Sequence, residues 1–155
     1  MKKCYVSIVF VLLSSCGLAS EGLPNKSMTP GVINPEVIQE NINETICVVG
    51  WTKTIRPSSA YTSNLKARQI AEYGYVDTNK DDYEEDHLIP LSLGGHPRDK
   101  RNLWPQPKVT QWNAIRKDRL EKKLHYQVCA QILTLKEAQE KIGTNWVKAY
   151  KEAFN

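Results

Sequence analysis

Asp86 and His87 set a carboxylate beside an imidazole, and two asparagines follow at intervals: Asn102 fifteen residues after the histidine, and Asn113 eleven further on. An aspartate carboxylate and an asparagine carbonyl oxygen are hard ligands, suited to a divalent cation that keeps several of its waters. A neutral histidine beside such a cation can take a proton from water near neutral pH. The cation neutralises charge on a phosphorane-like transition state and on the leaving oxygen, so these parts suffice to hydrolyse a phosphodiester. Adjacent residues on a strand point to opposite sides. For Asp86 and His87 to share one task the strand must end or bend there, which Pro90 permits.

The surroundings sharpen this reading. The stretch from Glu84 to Gly95 reads EEDHLIPLSLGG and is followed by Asn102-Leu103-Trp104-Pro105. It resembles the HNH endonuclease superfamily, and more narrowly bacterial HNH-like proteins with a DH-x-x-P-L-x-x-GG…NLWP pattern. The similarity extends through Arg56-Pro57, Tyr61-Thr62, Leu65-Lys66, the segment from Lys117 to Glu121, Val128-Cys129, Ala138-Gln139, Trp146 and Tyr150. It thus covers roughly residues 46–152. The resemblance implies a ββα-metal finger over residues 83 to about 129, with Asp86 as the acidic metal ligand and His87 as the general base. It also implies that the side chain of Asn102 pins the loop between the strands, and that the last ligand sits on the helix, where Asn113 is the candidate. That last position departs from the commonest pattern, because no histidine lies between His96 and His125. Asp118 is a rival ligand, although helical spacing puts it largely on another face. Lys117, one turn beyond Asn113, is placed to meet the scissile phosphate, with Arg116 a weaker candidate.

These residues need an α+β frame. Residues 83–88 read as extended, Asn102-Leu103-Trp104 as a second short strand stopped by Pro105, and about 109–129 as a helix free of Gly and Pro. Upstream, Cys47 to Trp51 reads as a short strand, and Thr62 or Ser63 caps a helix that runs to Tyr73 with Gly74 at C′. Downstream, Thr134-Leu135-Lys136-Glu137 is a capping box, Gly143 interrupts, and Thr144 caps a last helix. Trp104 and Trp112 are expected in the core, and His96 in an exposed, non-catalytic loop.

The chain of 155 residues suits one domain of ordinary globular composition. Its formal charge of +4 includes Lys2 and Lys3, so beyond them 19 basic residues face 17 acidic ones, and net charge says little about nucleic acid. The finger itself is locally basic, which fits phosphate-backbone contact with DNA or RNA without base readout. Lys2-Lys3 and the apolar run from Tyr5 to Leu13 suit a secretory signal and are too short to span a bilayer. Leu13-Ser14-Ser15-Cys16 resembles a lipobox, so residues 1–15 are expected to be removed and Cys16 lipidated and membrane-attached. Gly17-Leu18-Ala19 offers the alternative of ordinary cleavage. Residues 16–45 read as a flexible tether and 46–155 as the folded domain. In an exported protein, in the periplasm, the envelope or the medium, Cys47 and Cys129 invite a disulfide. A metal site on these cysteines is not expected, since no Cys-x-x-Cys or Cys/His pairing accompanies either. The sequence therefore points to a metal-dependent endonuclease, with Mg²⁺ expected and Mn²⁺ or Zn²⁺ as alternatives. A non-catalytic exported module that binds nucleic acid or envelope components on the same scaffold is the competing expectation.

Overall fold

A computed structural model describes residues 22–154. The signal segment and Cys16 lie outside the described residues. The fold is α+β: helices α1 (Trp51–Ile55) and α2 (Ser59–Glu72), strands β1 (Tyr83–His87) and β2 (Leu103–Pro107), then helices α3 (Ala114–Cys129) and α4 (Leu135–Phe154). The two strands form an antiparallel pair in which Tyr83 faces Pro107, Asp86 faces Trp104 and His87 faces Leu103. Both prolines of β2 are tolerated because a two-stranded sheet has only edges, where a missing N–H is not missed.

The elements start where local chemistry allows. Ser58, not Thr62 or Ser63, caps α2 by accepting from the Tyr61 N–H at 3.3 Å. Gly74 follows in the left-handed region at φ +68°. Asn113 caps α3, so that helix begins five residues later than the absence of Gly and Pro from about Val109 suggests. Thr134 and Glu137 close the expected capping box, with Thr134 N donating to Glu137 Oε2 at 2.8 Å and Glu137 N to Thr134 Oγ1 at 3.2 Å. The break in α4 falls at Asn145 (φ −160°, ψ 91°), whose side chain accepts from Lys148 N at 2.9 Å and restarts the helix; Thr144 does not. Cys47 to Gly50 is a turn leading into α1 rather than a strand.

Residues 22–45 are not a tether. Val37, Ile42 and Ile46 are buried in the core beside Trp104, Leu120, Leu124, Val128, Ile142 and Trp146. Thr29 is fully buried, and its hydroxyl donates to Leu103 O at 3.1 Å. Trp146 Nε1 donates to Gly22 O at 2.7 Å. Three further backbone hydrogen bonds run between residues 31–34 and the loop 94–101. Prolines and asparagines removed any periodicity here, but burial needs only three apolar side chains suitably spaced, and the asparagines satisfy the irregular backbone. The folded unit therefore extends from residue 22, not 46.

The Cys47–Cys129 disulfide is present, with Cα atoms 5.6 Å apart across 82 residues of sequence. Among the described residues, no helix is long and apolar enough to cross a membrane.

Candidate active site

His87 ends β1, where the pair with β2 gives way to the loop 88–101. The backbone there is fixed by Asn102, which is wholly buried. Its Oδ1 accepts from Ile89 N at 3.0 Å and from Val32 N at 3.4 Å, and its Nδ2 donates to Ile89 O at 2.9 Å and His96 O at 3.1 Å. One amide thus ties both ends of the loop and the N-terminal segment together. Gly95 is required in the same place: a Cβ there would lie 1.7 Å from Ile89 O. His96 is half-buried rather than exposed, and its Nδ1 accepts from Arg98 N and Asp99 N at 3.2 and 2.9 Å.

The loop carries Pro97, whose carbonyl lies 3.0 Å from His87 Nε2. A carbonyl only accepts, so Nε2 carries the proton and Nδ1 keeps its lone pair. His87 is only 6% exposed, and burial holds its pKa below the ordinary imidazole value. The ring is therefore a neutral base in a defined tautomer.

Asp86 points the other way, toward α3. Its Oδ2 is 2.7 Å from the ammonium of Lys117. That ammonium also donates to Glu121 Oε1 at 2.5 Å and to His87 O at 2.6 Å. Lys117 is completely buried. Burial alone would lower its pKa, but the carboxylates of Asp86 and Glu121 overcome this and raise it, so the side chain is a fixed internal cation. Its ammonium makes two hydrogen bonds and one ion pair inside the protein and faces no solvent. Its job is to hold Asp86 and the end of β1 against α3.

Asn113 is the N-cap of α3 and accepts from Arg116 N at 3.2 Å through Oδ1. Its oxygen thus serves the helix start, the structural role that competes with metal ligation. Asp118, exposed on α3, lies within the field of Asp86. Burial and the charge of Asp86 raise its carboxyl, and burial with Asp86 and Asp118 does the same to Glu84. Glu85 is the most perturbed of the group, pushed up to about 8 by burial and then by Asp86, with neither carboxylate oxygen hydrogen-bonded. Among the described residues, no three carboxylate or imidazole groups gather within 4.8 Å around Asp86.

Several cations of residues 98–123 are engaged within the protein. Arg116 lies over Trp112, Arg119 donates to Tyr150 and lies over Phe154, and Lys123 donates to Ala153 O. Sequence reasoning passed over Arg56, exposed at the end of α1, as a site residue. Its charge acts on both His87 and Asp118. Only the buried Pro57 beside it, which fixes the chain leaving α1, hinted at a defined position. A second omission is His125. Its Nε2 lies 3.4 Å from Cys129 Sγ, a pairing legible as a histidine four residues before a cysteine on one helix.

Comparison with protein-family models, with characterised proteins and with solved structures gives no match.

Proposed function

We propose that this chain is a metal-dependent endonuclease that hydrolyses phosphodiester bonds of DNA, with RNA as the alternative substrate, and has little sequence preference. The observation that carries the reading is the state of His87: neutral, with Nε2 bound to Pro97 O and Nδ1 free, at the end of a strand and next in sequence to Asp86. That arrangement suits a general base, and the order strand, loop, strand, helix agrees with the ββα-metal finger implied by the HNH resemblance.

A divalent cation fits the donors at hand. Glu84, Asp86 and Asp118 each have oxygen ligands; burial first and then the charge of Asp86 raise the carboxyls of Glu84 and Asp118, and a cation relieves the second of these. Mg²⁺ needs only one or two carboxylates and keeps its remaining waters, so no tighter cluster is called for. Asp86 and Asp118 would hold it, in preference to the helix-capping Asn113. When bound, the ion supplies the positive charge that stabilises the transition state and the leaving oxygen. The chain's own residues do the rest. His87 Nδ1 takes a proton from water as the water oxygen bonds to phosphorus and the bridging P–O bond breaks. Asn102 and Lys117 keep the base from moving, and Arg56 neutralises a non-bridging phosphate oxygen. The disulfide suits an oxidising compartment, in keeping with export to the periplasm, envelope or medium.

The competing reading, a non-catalytic binding module, is favoured by one observation: Lys117 already neutralises Asp86 at 2.7 Å. Incubating the protein with plasmid DNA and with RNA, in Mg²⁺, Mn²⁺, Zn²⁺ or EDTA, separates the two. Cleavage that needs metal and falls by about 10²–10⁴ in His87→Ala supports the enzyme. Retention of nucleic acid without cleavage under any ion refutes it.

A further inference from the structure

Three ligand-type side chains meet near the C-terminal end of α3, on residues that take no part in the site around His87. Cys47 Sγ, Cys129 Sγ and one nitrogen of His125 all lie within 4.8 Å of one another. His125 stands one turn before Cys129, with Nε2 3.4 Å from its sulfur and 2.9 Å from Ile46 O. All three residues are half-buried, so solvent and ions reach them. Cys47 comes from the turn before α1, while His125 and Cys129 come from α3. A cation held here would therefore tie together the two segments that the disulfide ties.

We propose that reduction of the Cys47–Cys129 disulfide creates a site for a borderline-soft divalent cation, Zn²⁺ first, with Cys47, His125 and Cys129 as protein ligands and water as the fourth. Two sulfurs and one nitrogen select Zn²⁺ over Mg²⁺ or Ca²⁺, which prefer oxygen. The site is thus chemically distinct from the all-oxygen donors around Asp86 and does not depend on the nuclease reading. The reductant is a dithiol, which becomes a disulfide as the two cysteine sulfurs gain two electrons and two protons. Binding the cation then releases the two thiol protons, and two thiolates cancel its charge. In the oxidised protein His125 Nε2 faces a carbonyl and so carries the ring proton. Ligation moves that proton to Nδ1 and gives up the hydrogen bond to Ile46 O. With Zn–S bonds of about 2.3 Å, the sulfurs must separate to roughly 3.8 Å. Side-chain rotation provides this while the Cα atoms stay 5.6 Å apart. The metal thus replaces one cross-link by another and preserves the attachment of the turn to α3.

The test uses the full chain with Cys4→Ser and Cys16→Ser, which removes the two other thiols. The disulfide is opened with a water-soluble phosphine, which ends as its oxide with the oxygen taken from water. Co²⁺ is then titrated and displaced by Zn²⁺, while the thermal midpoint is followed by circular dichroism. The expected result is one Co²⁺ per reduced chain with the visible bands of tetrahedral thiolate coordination, no such bands in the oxidised chain, and a midpoint raised by Zn²⁺. His125→Ala should weaken Zn²⁺ at least about tenfold, the loss typical of removing even a supporting group. Asp86→Ala should leave the thiolate bands unchanged. Absence of the bands, equal affinity in His125→Ala, or a reduced chain whose helices are lost and not restored by Zn²⁺ would each overturn the proposal.

Discussion

Replacing Lys117 by methionine separates an internal cation from a phosphate-binding one. The lysine side chain is 1% exposed and joins Asp86, Glu121 and His87 O, whose side-chain carboxylates are 16% and 17% exposed. Methionine keeps most of the stem's volume, so packing changes little, while two charge-assisted hydrogen bonds and the ion pair with Asp86 vanish. Removing one partner from a buried ionic group costs about 3–5 kcal/mol. The slight exposure of both carboxylates places this case near about 3 kcal/mol, a fall of roughly 10 °C in Tm for a domain of this size.

The cost must also depend on pH. Burial already raises the Glu121 carboxyl, and only Lys117 opposes it. Without the ammonium, the folded-state pKa of Glu121 rises further above its unfolded value. The variant then loses stability as pH climbs from the ordinary carboxylate range, and its deficit narrows once Glu121 is protonated in folded and unfolded chains alike. Urea unfolding followed by the four tryptophans, from about pH 4 to about pH 8, measures this directly. Adding Glu121→Leu to the methionine variant should recover much of the loss at the alkaline end. A methionine variant as stable as wild type at neutral pH, or a deficit that ignores pH, would refute the internal-cation account. A variant with normal stability but no cleavage would restore Lys117 to the phosphate.

Two other predictions follow from the same neighbourhood. Glu85→Gln should stabilise the protein, because the wild-type carboxyl titrates at about 8 when folded against 4.5 as the ordinary value. Folding then takes up a proton between those values, so wild-type stability falls as pH rises through that window, and the variant removes the slope. The gain at the alkaline end is on the order of 2–3 kcal/mol, less than the full shift because the residue is partly exposed, and calorimetry at acid and alkaline pH reads it; equal slopes would refute it. Asn102→Ala removes four hydrogen bonds from a wholly buried loop anchor and should cost about 2–4 kcal/mol. Amide exchange should accelerate at Ile89 and Val32 in particular; unchanged protection there would show that the amide is not the anchor.

The sequence made the strand–loop–strand–helix unit legible where residue type alone dictates position. Pro90 and Gly94-Gly95 could only bound a turn, and Asn102 between strand and loop could only serve a tight backbone. Leu120, Leu124 and Val128, four residues apart, could only be the inner face of α3, and all three are buried. Residues 22–45 were misread because a segment that packs without regular structure has no period to detect. The burial of Lys117 against Asp86 was not legible because a helical wheel gives azimuth, not distance. How close α3 comes to β1 decides which of its side chains meets Asp86, and that depends on the tertiary packing. The start of α3 at Asn113 was hidden because 109–112 contain no Gly or Pro, although the asparagine cap was already a stated competitor of the ligand role.

A deeper reason explains why hydrophobic patterning finds the core but not the site. The β1–β2 pair is short and presents few apolar side chains, and an isolated two-stranded pair is marginal in water. Its position is fixed instead by long polar side chains from the flanking helices. From α2, Lys66 donates to Lys80 O and Tyr83 O at 2.7 and 3.0 Å, and Gln69 donates to Lys100 O and Leu103 O at 3.2 and 2.9 Å. From α3, Lys117 donates to His87 O. These clamps act on main-chain carbonyls at the ends of both strands, so they set where the backbone of His87 lies without touching its ring. Apolar contacts would hold the strands with less directional control, since dispersion tolerates sliding that a hydrogen bond does not. An imidazole held at hydrogen-bond distance from Pro97 O needs the stricter constraint. On this account Lys66→Met and Gln69→Leu should shift the environment of His87 although neither side chain is bonded to it. The ring-proton resonances of His87 and its titration midpoint would report the displacement, and an unperturbed imidazole in both variants would show that β2 and the loop alone position the base.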